Sequence, residues 1–199
     1  MTDNNRRTVE AYDAHAAEYA AITRDGLPIG KEALTRFAAA VGVGARVMEV
    51  ASGPGWDADE LEARGLVVRR TDLAEGFIAV QAKRGKTVER LDLLTDDLGG
   101  PWDGLVALYV LQHIERADID RVIARMVAAL RPGGVLLASF QEGEGDCEQK
   151  GSEGGVYRVV QWRPEDMLAR LARHGLEVLW NHSFQGSEAR WTILIARRS

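Results

Sequence analysis

The sequence predicts an α/β domain built on a mainly parallel sheet. Two observations carry this prediction. Short β-rich runs alternate with amphipathic helical runs, the pattern left by parallel strands joined through crossover helices. Four helical runs also end at a glycine (Val41-Gly42, Arg64-Gly65, Arg84-Gly85 and His174-Gly175), where a left-handed C-terminal cap costs least. The 199 residues, 46% of them apolar, suit one domain with a real core.

The elements follow in order. The stretch 4–41 reads as helical, with Tyr12, Ala16 and Tyr19 sharing one spacing. Strands are predicted over 45–50, 66–71, 87–91, 104–110 and 134–140. The fourth is almost wholly apolar, as a strand buried on both faces should be. Between the fourth and fifth strands, Ile119, Val122, Ile123, Met126, Val127 and Leu130 make one apolar helical face. Arg131-Pro132-Gly133-Gly134 ends that helix, because proline cannot continue it. The stretch 141–155 reads as a polar, glycine-rich loop. Pro164 suits the first position of a helix running to about His174. Strands over 176–184 and 190–196, joined by Gln185-Gly186-Ser187-Glu188, read as an antiparallel hairpin.

Bulk properties narrow the function classes. The net charge of −5 argues against a nucleic-acid partner, since a phosphate backbone wants a basic face. No apolar run approaches the ~20 residues of a membrane span. The polar N-terminus, Met1 to Arg7, has no apolar stretch behind it and does not read as a signal peptide. Cys147 is the only cysteine, so no internal disulfide forms, which fits a reducing cytoplasm. With no histidine close by in sequence, Cys147 reads as incidental rather than as a nucleophile.

The strongest chemical motif is Val47-Met48-Glu49-Val50-Ala51-Ser52-Gly53-Pro54-Gly55. A strand ends in an acidic residue, then a glycine turn opens a helix. In open α/β sheets ligands bind at the carboxyl ends of the strands, where strand order reverses. Gly53 and Gly55 lack a β-carbon, so a ligand can approach the backbone, and amides at the helix start can hold a carboxylate. The plainer reading is a tight turn with no ligand. Asp72, about 20 residues on, is placed to bond a ribose diol, or simply to cap the next helix. Asp92 after the third strand is placed to accept from an adenine amino group, or to serve as a turn residue.

Further on come Pro101-Trp102-Asp103-Gly104, Leu111-Gln112-His113 and Pro132-Gly133-Gly134. With these in order, the chain resembles class I S-adenosylmethionine (SAM)-dependent methyltransferases of the small bacterial, small-molecule type, from about Tyr12 to Ala196. One departure is Ala51, where the family most often has its first glycine. The resemblance implies a Rossmann-like methyltransferase fold with a mostly parallel seven-stranded sheet, a C-terminal antiparallel hairpin and helices on both faces. Residues 1–199 then form one domain: a helical cap (1–41), a cofactor-binding half (42–140) and a substrate-side loop, helix and hairpin (141–199). It implies S-adenosyl-L-methionine as cofactor and S-adenosyl-L-homocysteine as product. Glu49, Ala51, Ser52, Gly53 and Gly55 would line the methionine part. Asp72 would bind the ribose, with Leu73 beside the adenine, and Asp92 and Leu93 would hold the adenine edge. Leu108 would lie under the sulfonium, and Tyr19 would reach over from the N-terminal helix.

His113 is the best-placed general base, because histidine titrates near neutrality. Its plainer reading is a structural histidine bonding a neighbouring loop. The loop holds Glu142, Glu144, Asp146, Glu148 and Glu153 against one cation, Lys150. It reads either as a lid attracting a cationic substrate or as a solvated loop. Glu142, Tyr157, Arg158 and Trp191 are candidate substrate contacts, with Trp162 also near that side. No metal is expected. The competing readings are a nicotinamide-dependent oxidoreductase, since Gly53-Pro54-Gly55-Trp56-Asp57-Ala58 passes for its fingerprint, a non-catalytic SAM-binding module, and a methyltransferase acting on a peptide.

Overall fold

The computed structural model describes residues 3–26, 28–151, 154–186 and 188–199. Ser187 of the predicted hairpin connection, Glu153 of the acidic run and Met1-Thr2 lie outside them. Two helices come first, α1 (Asp3–Ile22) and α2 (Pro28–Val41). The chain then runs through β1 (Arg46–Glu49), α3 (Trp56–Ala63), β2 (Val67–Asp72), α4 (Glu75–Ala82), β3 (Glu89–Arg90) and β4 (Trp102–Ala107). A single turn of 3-10 helix, Leu111–His113, leads to α5 (Ile119–Ala129) and β5 (Leu130–Gln141). Next come β6 (Asp146–Lys150), β7 (Val156–Val160), α6 (Pro164–Arg173), β8 (Leu176–Gln185) and β9 (Arg190–Arg198).

The main sheet has seven strands in the order β3-β2-β1-β4-β5-β9-β8. Strands β1 to β5 pair in parallel; β9 runs antiparallel to β5 and β8. Strand order reverses between β1 and β4, the switch point at which such sheets bind ligands.

Side-chain alternation along the strands builds a core on each face. Met48, Leu105, Ala107, Leu136 and Leu194 face one way and pack with Ile119, Ile123 and Met126 of α5 and with Met167 and Leu171 of α6. Val47, Val106, Val135, Ile193 and Ile195 face the other way, against Leu34 and Phe37 of α2 and Leu61 of α3. The apolar helical face read from the sequence is thus the buried face of α5. All four predicted capping glycines, Gly42, Gly65, Gly85 and Gly175, have positive φ. No helix among the described residues is long and apolar enough to cross a membrane.

The stretch 141–155 departs from its reading as a loop. Residues 146–150 form β6, which pairs antiparallel with β7 as a separate two-stranded sheet. Its acidic residues are tied down by arginines from other elements. Glu142 pairs with Arg190, Glu144 with Arg163, Asp146 with Arg116 and Arg158, and Glu148 with Arg7. Strand β6 has no apolar alternation of its own and forms a strand only by pairing with the valine-rich β7 that follows the segment. Each exposed pair contributes little alone, yet together they fasten the segment to α1, to the residue that caps α6 and to the main sheet.

Candidate active site

The loop after β1 is shaped before any ligand arrives. Val50 N donates to Val106 O (3.0 Å) and Ser52 N to Thr71 O (2.8 Å), continuing the ladders on both sides of β1. Ala51 then takes a left-handed φ of 52°, and Gly53 and Gly55 follow at 54° and 82°. The conformation is one that glycine adopts freely and alanine at a cost of about 1–2 kcal/mol. Gly53 N donates to Asp72 Oδ2 at 2.7 Å, and Ala74 N to Asp72 Oδ1 at 2.9 Å. Asp72 therefore joins the end of β2 to the glycine loop.

A buried layer holds the loop from behind. The side-chain amide of Gln81, on α4, donates to Ser52 Oγ (2.7 Å) and Gly53 O (2.8 Å). Its oxygen accepts from Arg70 Nη1 (2.9 Å), and the buried Arg70 also donates to Gly55 O, Asp59 and Glu62. A β-carbon on Gly55 would lie 2.2 Å from the Gln81 amide oxygen. Gly55 is thus needed for close packing with α4, and it does not line the cavity in front.

That cavity, about 930 Å³, opens at the carboxyl ends of β1, β2 and β4 under α1 and α2. Of the residues read as cofactor-binding, Tyr19, Glu49, Ala51, Ser52, Gly53, Asp72, Leu73, Asp92, Leu93 and Leu108 all line it. Glu49 is buried, and its Oε2 has no hydrogen-bond partner. Burial first, and the nearby Asp57 second, hold its carboxyl well above the usual carboxylate range. Burial likewise raises Asp57 and Asp72 to about 6 each. Three desolvated acids around one cavity favour a ligand that brings positive charge.

The N-terminal helix closes the other side through aromatic rings. Tyr12 stacks on Tyr157 (4.4 Å between centroids) and meets Tyr19 (5.6 Å) and Phe77 (5.4 Å). His113 anchors this cover. Its Nδ1 lies 3.1 Å from Arg158 O, an acceptor only, so Nδ1 carries the proton. Its Nε2 then accepts from the Tyr12 hydroxyl (3.0 Å), and its carbonyl accepts from Asn5 Nδ2 (2.7 Å). Burial lowers its pKa to about 4.

Of the two readings of His113, a general base or a structural histidine, this geometry supports the structural one: it lines the cavity, and both ring nitrogens are in hydrogen bonds that tie α1 and β7 together. Three candidate substrate residues are also elsewhere. The Glu142 carboxylate accepts from Thr192 Oγ1 (2.7 Å) and pairs with Arg190, away from the cavity. Arg158 pairs with Asp146 on the hairpin surface, and Tyr157 is buried behind Tyr12. Trp162 packs in the core beneath Arg116 and Arg170. Trp191 does reach the cavity, its ring edge-on to Tyr109 at 5.2 Å.

Other cavity residues were not singled out from the sequence. Asp57 sits in the first turn of α3, where an acid reads as complementing the helix dipole. Tyr109 lay inside an apolar run read as strand, yet has a positive φ of 54° past the end of β4. Phe184 arrives from β8.

Comparison with known proteins agrees with this architecture. A methyltransferase domain family matches residues 48–136. No curated protein matches the sequence. Among solved structures, magnesium protoporphyrin IX methyltransferase from Synechocystis PCC 6803, with bound SAM, is similar over 100% of this chain and 99% of its own, with a TM-score of 0.76 and 17% identity. The 1,6-didemethyltoxoflavin-N1-methyltransferase of Burkholderia thailandensis, with its substrate and S-adenosylhomocysteine bound, is similar over 96% and 90%, with a TM-score of 0.67 and 19% identity. A SAM-dependent methyltransferase from Mesorhizobium loti gives 87% and 99%, a TM-score of 0.69 and 21% identity. The chain is thus similar to a methyltransferase domain over residues 48–136 and shares its fold with these solved methyltransferases.

Proposed function

We propose that the chain transfers the methyl group of SAM to a small-molecule acceptor in the cavity at the β1–β4 switch point. One observation carries this reading most. The unpartnered Glu49 carboxylate and the ring of acids that includes Asp72 line one cavity on either side of the glycine loop. That arrangement fits a ligand with a cationic amino-acid end and a ribose. The Asp72 carboxylate has two protein donors, which leaves lone pairs for a diol. Asp92 uses Oδ1 on Leu94 N (2.8 Å), and Leu91, Leu93 and Leu94 supply apolar contact suited to a purine. The solved neighbours that hold SAM or S-adenosylhomocysteine support the same assignment. The cavity size suits a cofactor and a small acceptor together.

Bound SAM supplies a methyl group already activated by the positive sulfur. The protein's part is placement and exclusion of water. Glu49 and the loop amides hold one end, and Asp72 and Asp92 the other. Helix α1, fastened through Tyr12 and Asn5 to His113, covers them from solvent. A thermal-shift comparison of S-adenosylhomocysteine with NAD tests the reading. A rise of several degrees with the first and none with the second supports it; the reverse pattern would return the chain to the oxidoreductase reading.

A further inference from the structure

One residue of the cavity breaks the alternation of its strand. Leu105 and Ala107 face the α5 side of the sheet, and Val106 and Leu108 face the α2 side. Alternation would send residue 109 toward α5. Tyr109 instead takes a left-handed φ of 54° and packs on the α2 side with Leu108. A bulky side chain is strained in that conformation. Two buried polar side chains hold it there. Tyr109 N donates to Ser139 Oγ (2.8 Å), and Gln112 Nε2 donates to Tyr109 O (2.6 Å). The tyrosine gains little inside the chain in return. Its ring is only partly buried, and its hydroxyl has no hydrogen-bond partner among the described residues. Strain held in place by its surroundings at the wall of a cavity points to function.

The ring so displaced joins two others. Trp191 lies edge-on to it, with centroids 5.2 Å apart and ring planes at 71°. Phe184 stands directly opposite Trp191 in the β8–β9 pairing, so both rings belong to one face of that hairpin. The Trp191 indole sits down on Gly186, where an added β-carbon would lie 3.1 Å from its Cδ1. All four residues line the cavity. Aromatic rings prefer edge-to-face or offset contact with one another. A corner of two rings at a steep angle therefore selects a flat aromatic guest over a saturated one of the same size. We propose that Tyr109, with Trp191 and Phe184, is the specificity wall for the methyl acceptor, and that the acceptor presents a planar aromatic ring to it. This rests on the methyl-transfer reading above and names the substrate class for it. Tyr109 directly follows Leu108, the residue assigned to the sulfonium end of the cofactor, so a ring held there would lie beside the methyl group.

The test uses the full chain and two bicyclic alcohols of one skeleton, the flat 2-naphthol and its saturated analogue decahydro-2-naphthol. Each is titrated calorimetrically into protein with and without S-adenosylhomocysteine, for the wild type, Trp191→Leu and Tyr109→Leu. Circular dichroism confirms that the variants fold, and the wild-type ratio stands whether or not they do. 2-Naphthol should bind the loaded wild type at least tenfold more tightly than the saturated alcohol. Either variant should bring the two probes within threefold of each other, and Trp191→Leu should change S-adenosylhomocysteine affinity less than threefold. Equal binding of the two probes to the wild type, tighter binding of the saturated one, or binding of neither overturns the proposal. So does a preference that survives both substitutions. A Trp191→Leu protein that loses cofactor affinity as strongly as naphthol affinity would assign the ring to the cofactor and overturn it too. Failure of the wild type to bind S-adenosylhomocysteine would instead remove the underlying reading, and the unloaded titrations report on the ring wall independently.

Discussion

Gln81 does not line the cavity, yet it carries the shape of the glycine loop. Replacing it with methionine keeps the volume and removes three buried hydrogen bonds: to Ser52 Oγ, to Gly53 O and from Arg70 Nη1. Two are neutral bonds worth about 1 kcal/mol each, and the charged one is worth about 2 kcal/mol. Arg70 keeps Gly55 O, Asp59 and Glu62, so its charge is not stranded. Gln81→Met should therefore destabilise the fold by about 4 kcal/mol, or lower Tm by roughly 8–16 °C for a chain of this length. Thermal unfolding followed by circular dichroism measures the first part. Titration of S-adenosylhomocysteine measures the second, an affinity loss of threefold or more as Ser52 and Gly53 lose their support. A Tm within about 3 °C of the wild type, with unchanged affinity, would refute the claim that Gln81 holds the loop.

Other consequences follow from the same geometry. Ala51→Gly should stabilise the protein by about 1 kcal/mol in chemical denaturation, because Ala51 holds a φ of 52°; a loss of stability would mean its methyl group packs usefully. Tyr12→Phe should cost about 1 kcal/mol by removing the bond to His113 Nε2, with faster amide exchange in α1 as the distinguishing readout. The unliganded protein should become more stable as pH falls from 7 to about 5. Asp57 and Asp72 are raised from 3.8 to about 6, so their stabilising contribution is full below 3.8 and is lost as pH rises through 6. At neutrality this loss reaches about 3 kcal/mol for each group. A Tm that is flat or falls over that interval would contradict the burial of these acids.

Much of the fold was legible because its causes are local. Strand runs such as 104–110 are apolar, helix ends carry glycine at positive φ, and α5 displays its buried face in its spacing. The cavity wall around the glycine loop was legible for a related reason: it lies at strand ends, next to turns with distinctive residues. The parts that were missed depend on contacts between distant segments. Nothing near His113 in sequence reveals that Tyr12 and Arg158 occupy its ring. Nothing near Glu142 points to Arg190 and Thr192 on the antiparallel strand beside it. The acids of 141–155 looked available because their arginine partners, Arg7, Arg116, Arg158, Arg163 and Arg190, all lie outside that run. Asp57 looked like an ordinary first-turn acid until the fold placed it, with Glu49, in the cavity wall.

The central claim, that this cavity binds SAM through the β1 loop and Asp72, is tested most directly by calorimetric titration of S-adenosylhomocysteine into the wild type and Asp72→Ala. The wild type should bind, and the variant should bind about 10- to 100-fold more weakly, as loss of a charged acceptor entails. A well-folded wild type that does not bind S-adenosylhomocysteine, or a variant that binds it equally well, would contradict the account.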